Sequence, residues 1–380
     1  MFMKFKIWKF LGLIFITIFV LSAINAVDAI GVTNTITVGS TPEGVAYDPV
    51  KGEMFVANYG GTTVSVISDS TNAVVQTITV GASPWGVAYD AAKGEIFVSN
   101  WGSGTVSVIL DTNYAVLATI PVGTSPWGVA YDSVKGEFFV SNSGGNTVSV
   151  ISDSTNKVVA NVTVGSNPVG MAYDSAKGEI FVSNVGANEV SIISDTTNAV
   201  IETVQVGDYT VGVAYDPAKG EVFVSNSNDN TISVISDSTN SIVATVTMPA
   251  TAYPYGLAYD SSKNEIFVAN HADNTVSAIS DSTNAVVATV TVGTTPEFVT
   301  YDSAKNEIFV SNSVSKSVSV ISDSAGISTS PSPTTSASSP TPTVPEFSTV
   351  AFILALIAIV TFCAVAMAVK KTARTHSNWK

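Results

Sequence analysis

Aromatic side chains that differ from one repeat of the sequence to the next are the strongest candidates for chemistry in this 380-residue chain. They stand at two positions of the repeat where other repeats carry Glu, Val or Ser. Aromatic rings in exposed loops can stack on sugar rings or anchor a protein partner. The predicted binding residues are Tyr59, Trp85, Trp101, Trp127, Tyr255 and His271.

Residues of the kinds that enzymes and metal sites use are scarce between positions 30 and 345. His271 is the single histidine of this region, and the only cysteine of the chain, Cys363, lies beyond it. Metal, haem and imidazole chemistry need clusters of such groups. Aspartates such as Asp48 recur in every repeat, which fits turn capping better than acid–base catalysis. We therefore predict no catalytic, cofactor-binding or metal-binding residues.

The same region is strongly acidic, with 28 Asp and Glu residues against nine Lys and no Arg. A protein that binds nucleic acid needs Lys and Arg to displace counterions from the phosphates. We therefore exclude nucleic acid as a partner. A strongly acidic surface favours solubility in a crowded or saline environment.

The elements that must position the aromatic residues are repeats of about 42 residues. One tyrosine marks each repeat, with a constant spacing of 42 residues and a single interval of 44. A period of this length with strong strand character is typical of the blades of a β-propeller. The marker residues are Tyr47, Tyr89, Tyr131, Tyr173, Tyr215, Tyr259 and Tyr301.

Each repeat divides into four short apolar runs separated by turn residues, which predicts a four-stranded antiparallel blade. In the second repeat the predicted strands are Gly86–Asp90, Glu95–Asn100, Thr105–Leu110 and Ala115–Val122. The small residues of the first strand predict that it lies nearest the ring axis, where space is least. One Phe of the second strand is predicted to fill the gap between blades: Phe55, Phe97, Phe139, Phe181, Phe223, Phe267 and Phe309.

The first turn of the repeat carries a glycine, such as Gly94, that becomes Asn264 and Asn306 in the last two repeats. Asn tolerates the left-handed backbone region best after Gly. This exchange therefore indicates a backbone requirement at the turn.

The number of strands predicts how the ring closes. An additional strand at Asn34–Val38 precedes the first repeat, and the last repeat ends after Ser317–Ser322 without an outermost strand. We predict an all-β, seven-bladed propeller in which the N-terminal strand completes blade seven and removes two unpaired edges.

Two sets of loops should emerge on one face of the disk: those between the second and third strands, and those between blades. The predicted binding residues all belong to these loops. Aromatic residues there can bind a ligand, whereas Trp85 and Trp127 can alternatively serve only to plug the mouth of the channel.

The motif Phe-Val-Ser/Ala-Asn, preceded by Gly-Val-Ala-Tyr-Asp, resembles the YVTN family of β-propeller repeats. The resemblance extends over residues 32–325 and recurs seven times, with Phe in place of the Tyr that gives the family its name. This family is found in microbial, and especially archaeal, surface-layer and surface-antigen proteins. The resemblance therefore implies a propeller at the cell surface.

Residues 1–29 have the form of a secretory signal peptide. Lys4, Lys6 and Lys9 precede an apolar run, and small residues follow up to Ala29. Cleavage after Ala26 or Ala29 fits this pattern, and an uncleaved membrane anchor is the alternative. We expect the propeller, at residues 30–326, to be exported.

Three segments follow the propeller. Residues 327–345 are rich in Ser, Thr and Pro, which predicts an extended stalk. Residues 346–369 include an apolar stretch long enough to cross a membrane as a helix, and the basic residues 370–380 predict a cytoplasmic tail. With Pro345-Glu346-Phe347 in front, the tail resembles the PEF-type sorting signals of archaeal surface proteins. That resemblance implies processing by an archaeosortase and transfer to a lipid, and a retained transmembrane helix is the alternative.

Asn161 begins the one Asn-x-Ser/Thr sequon of the predicted exported domain. It stands on an outermost strand and points away from the more apolar side, so we expect it to be N-glycosylated.

Together these features favour a non-catalytic surface propeller that serves the cell envelope structurally or binds sugars or proteins. The expected partners are an envelope glycan or a surface protein, together with the membrane through the C-terminal segment. The alternative is an exported propeller enzyme, a lyase or hydrolase that acts on envelope polymers.

Overall fold

The computed structural model describes residues 30–322, which form 28 β-strands in seven four-stranded antiparallel sheets. First strands of neighbouring sheets contact one another around the ring, so each sheet is one blade of a seven-bladed propeller. These innermost strands are β2 (Pro42–Asp48), β6 (Pro84–Asp90), β10 (Pro126–Asp132), β14 (Pro168–Asp174), β18 (Thr210–Asp216), β22 (Pro254–Asp260) and β26 (Pro296–Asp302).

The second strand of each blade carries the Phe-Val-Ser/Ala-Asn motif. These strands are β3 (Glu53–Asn58), β7 (Glu95–Asn100), β11 (Glu137–Asn142), β15 (Glu179–Asn184), β19 (Glu221–Asn226), β23 (Glu265–Asn270) and β27 (Glu307–Asn312). The third strands are β4 (Thr63–Ser68), β8 (Thr105–Leu110), β12 (Thr147–Ser152), β16 (Glu189–Ser194), β20 (Thr231–Ser236), β24 (Thr275–Ser280) and β28 (Ser317–Ser322).

The outermost strands form the rim of the disk and are the most exposed. They are β1 (Gly31–Thr37), β5 (Ala73–Thr79), β9 (Val116–Pro121), β13 (Lys157–Thr163), β17 (Ala199–Gln205), β21 (Ser241–Thr247) and β25 (Ala285–Thr291).

The first strand closes the ring as predicted. β1 pairs with β28 in an antiparallel ladder, with Ile36 opposite Val318, and so becomes the fourth strand of blade seven. The strand begins at Gly31, earlier than the predicted start at Asn34. A bulge between Val32 and Asn34 shifts the register, which allows the first residues to continue the ladder.

The core lies between the faces of neighbouring blades. All seven predicted phenylalanines are fully buried there, as the sequence predicted. Phe55 of blade one, for example, belongs to a cluster with Ile96 and Val98 of blade two. Each blade therefore covers the apolar face of the next, and none could bury its faces alone.

The innermost strands approach so closely that six blades need glycine there. A Cβ atom on Gly128 would lie 2.3 Å from the carbonyl oxygen of Val169 in the next blade. Ser141 reinforces this contact, because its hydroxyl accepts the Gly128 N–H at 2.9 Å and donates to the Val169 carbonyl at 2.7 Å. The expectation of small residues near the axis is confirmed for these blades, whereas blade seven carries Phe298 at the glycine position.

The first turn of each blade has the backbone that the sequence indicated. Gly94 has a φ of 64°, and Asn264 and Asn306 at equivalent turns have φ values of 57° and 56°. The recurrent Asp caps this turn: the Asp48 Oδ1 accepts the N–H groups of Val50 and Lys51. These repeated residues therefore build the scaffold.

The predicted signal peptide, stalk, C-terminal transmembrane helix and cytoplasmic tail lie outside the described residues. Over residues 30–322, no helix has the length and apolar character that a membrane span requires.

Candidate functional site

One face of the disk carries both loop sets, as predicted. The turn after the second strand is hydrogen-bonded to the loop that enters the same blade. Trp101 N–H donates to the Ser83 carbonyl at 2.9 Å, and Tyr59 N–H donates to the Thr41 carbonyl at the same distance. We call this surface the loop face.

Two rings of side chains make up the loop face. The inner ring surrounds the channel mouth and consists of the second residue of each innermost strand: Glu43, Trp85, Trp127, Val169, Val211, Tyr255 and Glu297. The outer ring consists of the residue that follows each second strand: Tyr59, Trp101, Ser143, Val185, Ser227, His271 and Ser313. The inner ring thus has an aromatic and aliphatic arc and an acidic arc.

The six predicted binding residues form one continuous chain of ring contacts. Trp101 lies 6.1 Å from Tyr59, Tyr59 packs edge-on against Trp85 at 4.5 Å, and Trp85 stacks on Trp127 at 5.1 Å. The chain continues from Trp127 to Tyr255 at 6.4 Å and from Tyr255 to His271 at 5.6 Å. All of these distances are between ring centroids.

Burial separates the tryptophans into two kinds. Trp127 is only 6% exposed and packs with Val169 and Val211 at the channel mouth. Trp101, at the outer end of the aromatic chain, is 38% exposed. Packing in the core is therefore a sufficient role for the Trp127 side chain. It is not a sufficient role for Trp101, because much of that side chain is exposed to solvent.

A cup of about 330 Å³ opens on the loop face beside this chain. Its aromatic walls are Tyr59, Trp85, Trp101, Trp127, Tyr209 and Tyr255, and Ser143 and Asn167 add polar groups. Trp127 also lines the narrower channel beneath, of about 130 Å³, and therefore forms the floor of the cup.

Three aromatic residues of this site were not predicted from the sequence. Phe298 packs against Trp127 at 5.2 Å and against Tyr255 at 6.1 Å. Tyr209 lies 5.9 Å from Tyr253, which in turn lies 5.6 Å from His271. A position-by-position comparison of the repeats would have found them, since Phe298 replaces a Gly and the tyrosines replace Thr, Ser or Asn.

The acidic arc joins the two blades at which the ring closes. Glu43 of blade one and Glu297 of blade seven are 3% and 7% exposed. Ser313 Oγ donates to Glu297 Oε1 at 2.9 Å, and His271 Nε2 lies 3.4 Å from the same oxygen. Burial, and secondly the neighbouring Glu297, raises the pKa of Glu43 from 4.5 to about 10. Its buried position therefore favours the protonated form of the Glu43 carboxyl group.

Tyr255 connects the acidic arc to the cup. Burial is the main cause that raises the pKa of its hydroxyl well above 10, and the two carboxyl groups contribute further. Its ring lines the cup at the same time. Sequence reasoning recognised Glu43 and Glu297 as loop differences but did not pair them.

Asn161 lies on the outermost strand β13, opposite Ser149 of β12. Its side chain is exposed, and its Oδ1 accepts a hydrogen bond from Ser149 Oγ at 2.8 Å. The neighbouring Val162 is buried, so Asn161 points away from the core. In residues 30–322, no group of three or more His, Cys, Asp or Glu side chains has a geometry suited to a metal ion.

No protein-family model and no curated protein matches this sequence. Among solved structures, a hydrazine synthase from Kuenenia stuttgartiensis is similar, with 18% identity and a TM-score of 0.69, over 75% of this chain and 96% of the synthase chain. A streptogramin B lyase structure has 14% identity and a TM-score of 0.66, over 76% of this chain and 96% of the lyase chain.

At such low identity these likenesses show the fold and carry neither activity over to this chain. Residues 30–322 therefore form a seven-bladed β-propeller.

Proposed function

We propose that this chain is a non-catalytic propeller, displayed at the cell surface, that binds an envelope glycan or a surface protein through its loop face. The observation that carries the proposal is the exposure of Trp101 at the rim of an aromatic cup. An exposed tryptophan that continues a chain of aromatic contacts resembles the aromatic anchors of binding surfaces.

The contrast between the two faces supports this assignment. The opposite face consists of turns that repeat from blade to blade, and their Asp, Gly and Asn residues have structural roles. The loop face is where the blades differ. A specific partner needs a surface without seven-fold repetition, so the loop face is the better candidate.

A binding assay tests the proposal. The full chain should bind an envelope fraction or members of a glycan array, and the double variant Tyr59→Ala/Trp101→Ala should bind at least about tenfold more weakly, because each anchor contributes about 1 kcal/mol or more. Equal binding by the parent and this variant would remove the loop face from the proposal.

The surface location rests on the order of the sequence segments: signal peptide, propeller, stalk, Pro-Glu-Phe, apolar segment and basic end. Processing by a sortase-like enzyme predicts a mature C-terminus near Pro345, whereas retention predicts that peptides from residues 370–380 are recovered from membranes. Peptide mapping of the native protein distinguishes the two. Recovery of the protein solely in the medium would contradict both.

The same mapping should find a glycan on Asn161, and an unmodified Asn161 peptide would contradict the proposal that this residue is N-glycosylated.

One observation favours the second candidate, an exported lyase or hydrolase. Burial and the neighbouring Glu297 raise the pKa of Glu43, and His271 contacts Glu297, so two carboxyl groups in different environments and an imidazole lie at the channel mouth. An enzyme would release fragments from envelope polymers, and His271→Ala would abolish the release. A binding protein would release none.

A further inference from the structure

The cup on the loop face has two exposed aromatic walls with a lower stretch between them. Trp101 of blade two, beside Tyr59, forms one wall and is 38% exposed. Tyr209, in the loop that enters blade five, forms the other wall and is 36% exposed. Between them, the outer ring contributes the smaller side chains Ser143 and Val185 to the cup. The wall is therefore low at blades three and four, and a ligand there lies between aromatic side chains.

Within residues 30–322, no charged side chain lines this cup. Its eleven lining residues are Trp, Tyr, Val, Ser and Asn, and neither Glu297 nor His271 is among them. A charged group of a ligand would leave water here without a partner of opposite charge, which costs free energy in a largely apolar site. A neutral ligand does not incur this cost. The cup therefore favours an uncharged ligand.

Two polar side chains of the low wall have hydrogen-bonding capacity left for a ligand. Ser143 Oγ donates to the Ser125 carbonyl at 3.0 Å and keeps its lone pairs as acceptors. Asn167 is exposed, and its hydrogen bonds within residues 30–322 use its main chain. Its N–H donates to Asn146 Oδ1, and its carbonyl oxygen accepts the Val185 N–H. The side-chain amide of Asn167 therefore offers a ligand both a donor and an acceptor.

These features favour a sugar over the side chain of a protein partner. A sugar ring has C–H groups on its faces and hydroxyl groups around its edge, which match aromatic walls beside polar groups. An apolar side chain would cover Ser143 and Asn167 and leave their polar groups without partners, which costs free energy. The volume of the cup, about 330 Å³, is at the lower end of the roughly 300–1,000 Å³ usual for small-molecule sites. It therefore suits a ligand of the size of a single sugar unit.

We propose that the cup binds one uncharged sugar unit of an envelope glycan, which lies between the walls formed by Trp101 and Tyr209 with its hydroxyl groups towards Ser143 and Asn167. This assignment rests on the proposed binding function and specifies its ligand. The ligand is a neutral hexose or N-acetylhexosamine, and not a uronic acid or an amino sugar with a free amine. Aromatic stacking provides the affinity, and the uncharged wall provides the selectivity.

Calorimetry on the full chain at neutral pH tests this, in salt of about 0.15 M to screen the acidic surface. The probes are the methyl glycosides of glucose, galactose, mannose and N-acetylglucosamine. Methyl glucuronide and methyl glucosaminide are the matched charged counterparts of the glucoside. We expect at least one neutral glycoside to bind at least tenfold more tightly than either charged sugar.

Three variants locate the binding in the cup. Ser143→Trp should abolish binding of the neutral glycoside because it fills the low wall, and it should still unfold cooperatively because Trp101 holds the equivalent position of blade two. Asn167→Asp should bind the neutral glycoside severalfold more weakly than the parent and the glucosaminide more tightly, since it places a carboxylate in the wall. Asn113→Asp makes the same charge change in an exposed turn of the opposite face and should follow the parent.

The outcomes separate this inference from the function on which it rests. Equal or tighter binding of a charged sugar, or parent-like sugar binding by folded Ser143→Trp, would overturn the neutral-sugar site. Binding of N-acetyl-phenylalanine amide without binding of any sugar would overturn it in favour of a protein side chain. If no probe binds while an envelope fraction binds the parent and not Tyr59→Ala/Trp101→Ala, the inference is wrong and the proposed function stands. If the envelope fraction does not bind the parent, the proposed function itself fails.

Discussion

The indole ring of Trp85 in blade two stacks on that of Trp127 in blade three, with the centroids 5.1 Å apart and the planes inclined by 29°. The two residues hold equivalent positions of adjacent repeats, yet their environments differ. Trp127 packs in the apolar cluster of the channel mouth. Trp85 contacts Tyr59, and Tyr59 contacts the exposed Trp101. This one contact therefore joins the core to the candidate binding surface.

The close approach of the innermost strands predicts a large effect of a single methyl group. Gly128→Ala places a Cβ 2.3 Å from the Val169 carbonyl oxygen, a backbone atom that cannot rotate away. We expect a loss of about 1–3 kcal/mol in the free energy of unfolding. Denaturant titration measures it, with Gly61→Ala as the matched control, because the one atom near its added Cβ is 3.9 Å away. Equal stability of the two variants would contradict the packing argument.

The buried Glu43 predicts that stability falls as the pH rises. Burial, and secondly Glu297, raises the pKa of this carboxyl group from its usual 4.5 to about 10 in the folded protein. Between these values the folded protein retains a proton that the unfolded chain has released, so each step up in pH favours unfolding. Below pH 4.5 both states are protonated and the penalty is absent.

Glu43→Gln cannot ionise and should escape this penalty. We expect the variant to gain about 1–3 kcal/mol relative to the parent between pH 5 and pH 8, as measured by urea unfolding at both pH values. Glu202→Gln, at an exposed position of β17, is the control and should follow the parent. Parallel pH profiles of the parent and Glu43→Gln would show that Glu43 is not held protonated.

Tyr209 is expected to lower the stability of the fold and, at the same time, to contribute to binding. Its φ of 59° lies in the left-handed region, as it does at the equivalent position of every other blade, for example Thr41 with a φ of 51°. Asn adopts this backbone at lower cost than Tyr or Thr, so Tyr209→Asn should stabilise the fold by about 0.5–1 kcal/mol. Because Tyr209 lines the cup, the variant should also bind more weakly.

Thr41→Asn is the matched control for this prediction, since Thr41 has the same backbone and is not among the residues that line the cup. It should gain stability without a change in binding. Weaker binding by Thr41→Asn, or a loss of stability in Tyr209→Asn, would contradict the assignment of strain and contact to Tyr209. Thermal unfolding and the envelope-binding assay provide the two measurements.

The fold could be predicted because every blade repeats the same local requirements. Each buried Phe, each turn glycine or asparagine and each capping Asp gives the same signal seven times. The exact start of β1 could not be predicted, since the bulge near Thr33 depends on pairing with β28 at the other end of the propeller. Within the second repeat, the predicted second and third strands have the observed bounds, whereas β6 begins at Pro84 and not at Gly86, and β9 spans Val116–Pro121 and not Ala115–Val122.

The site could be predicted only in part, because some of its residues come together through ring closure and not through the order of the repeats. The aromatic residues belong to consecutive repeats, so their proximity follows from the order of the blades. Glu43 and Glu297 are far apart in sequence and meet only because the ring closes. Phe298 stands where the other six repeats have glycine, so the pattern that the repeats share does not predict an aromatic ring there.

The most direct measurement of the central claim, that the loop face is the binding surface, compares binding and stability in three variants. Trp101→Ala should reduce binding to the envelope fraction severalfold or more, with a melting temperature within about 2–4 °C of the parent, because its exposed side chain contributes little to the core. Trp127→Ala should instead lower the free energy of unfolding by about 3–5 kcal/mol, because it removes the buried side chain that forms the floor of the cup and leaves a cavity. Leu117→Ala, an exposed apolar side chain on the rim, is the control and should change neither. Parent-like binding by Trp101→Ala, with the protein still folded, would contradict the claim.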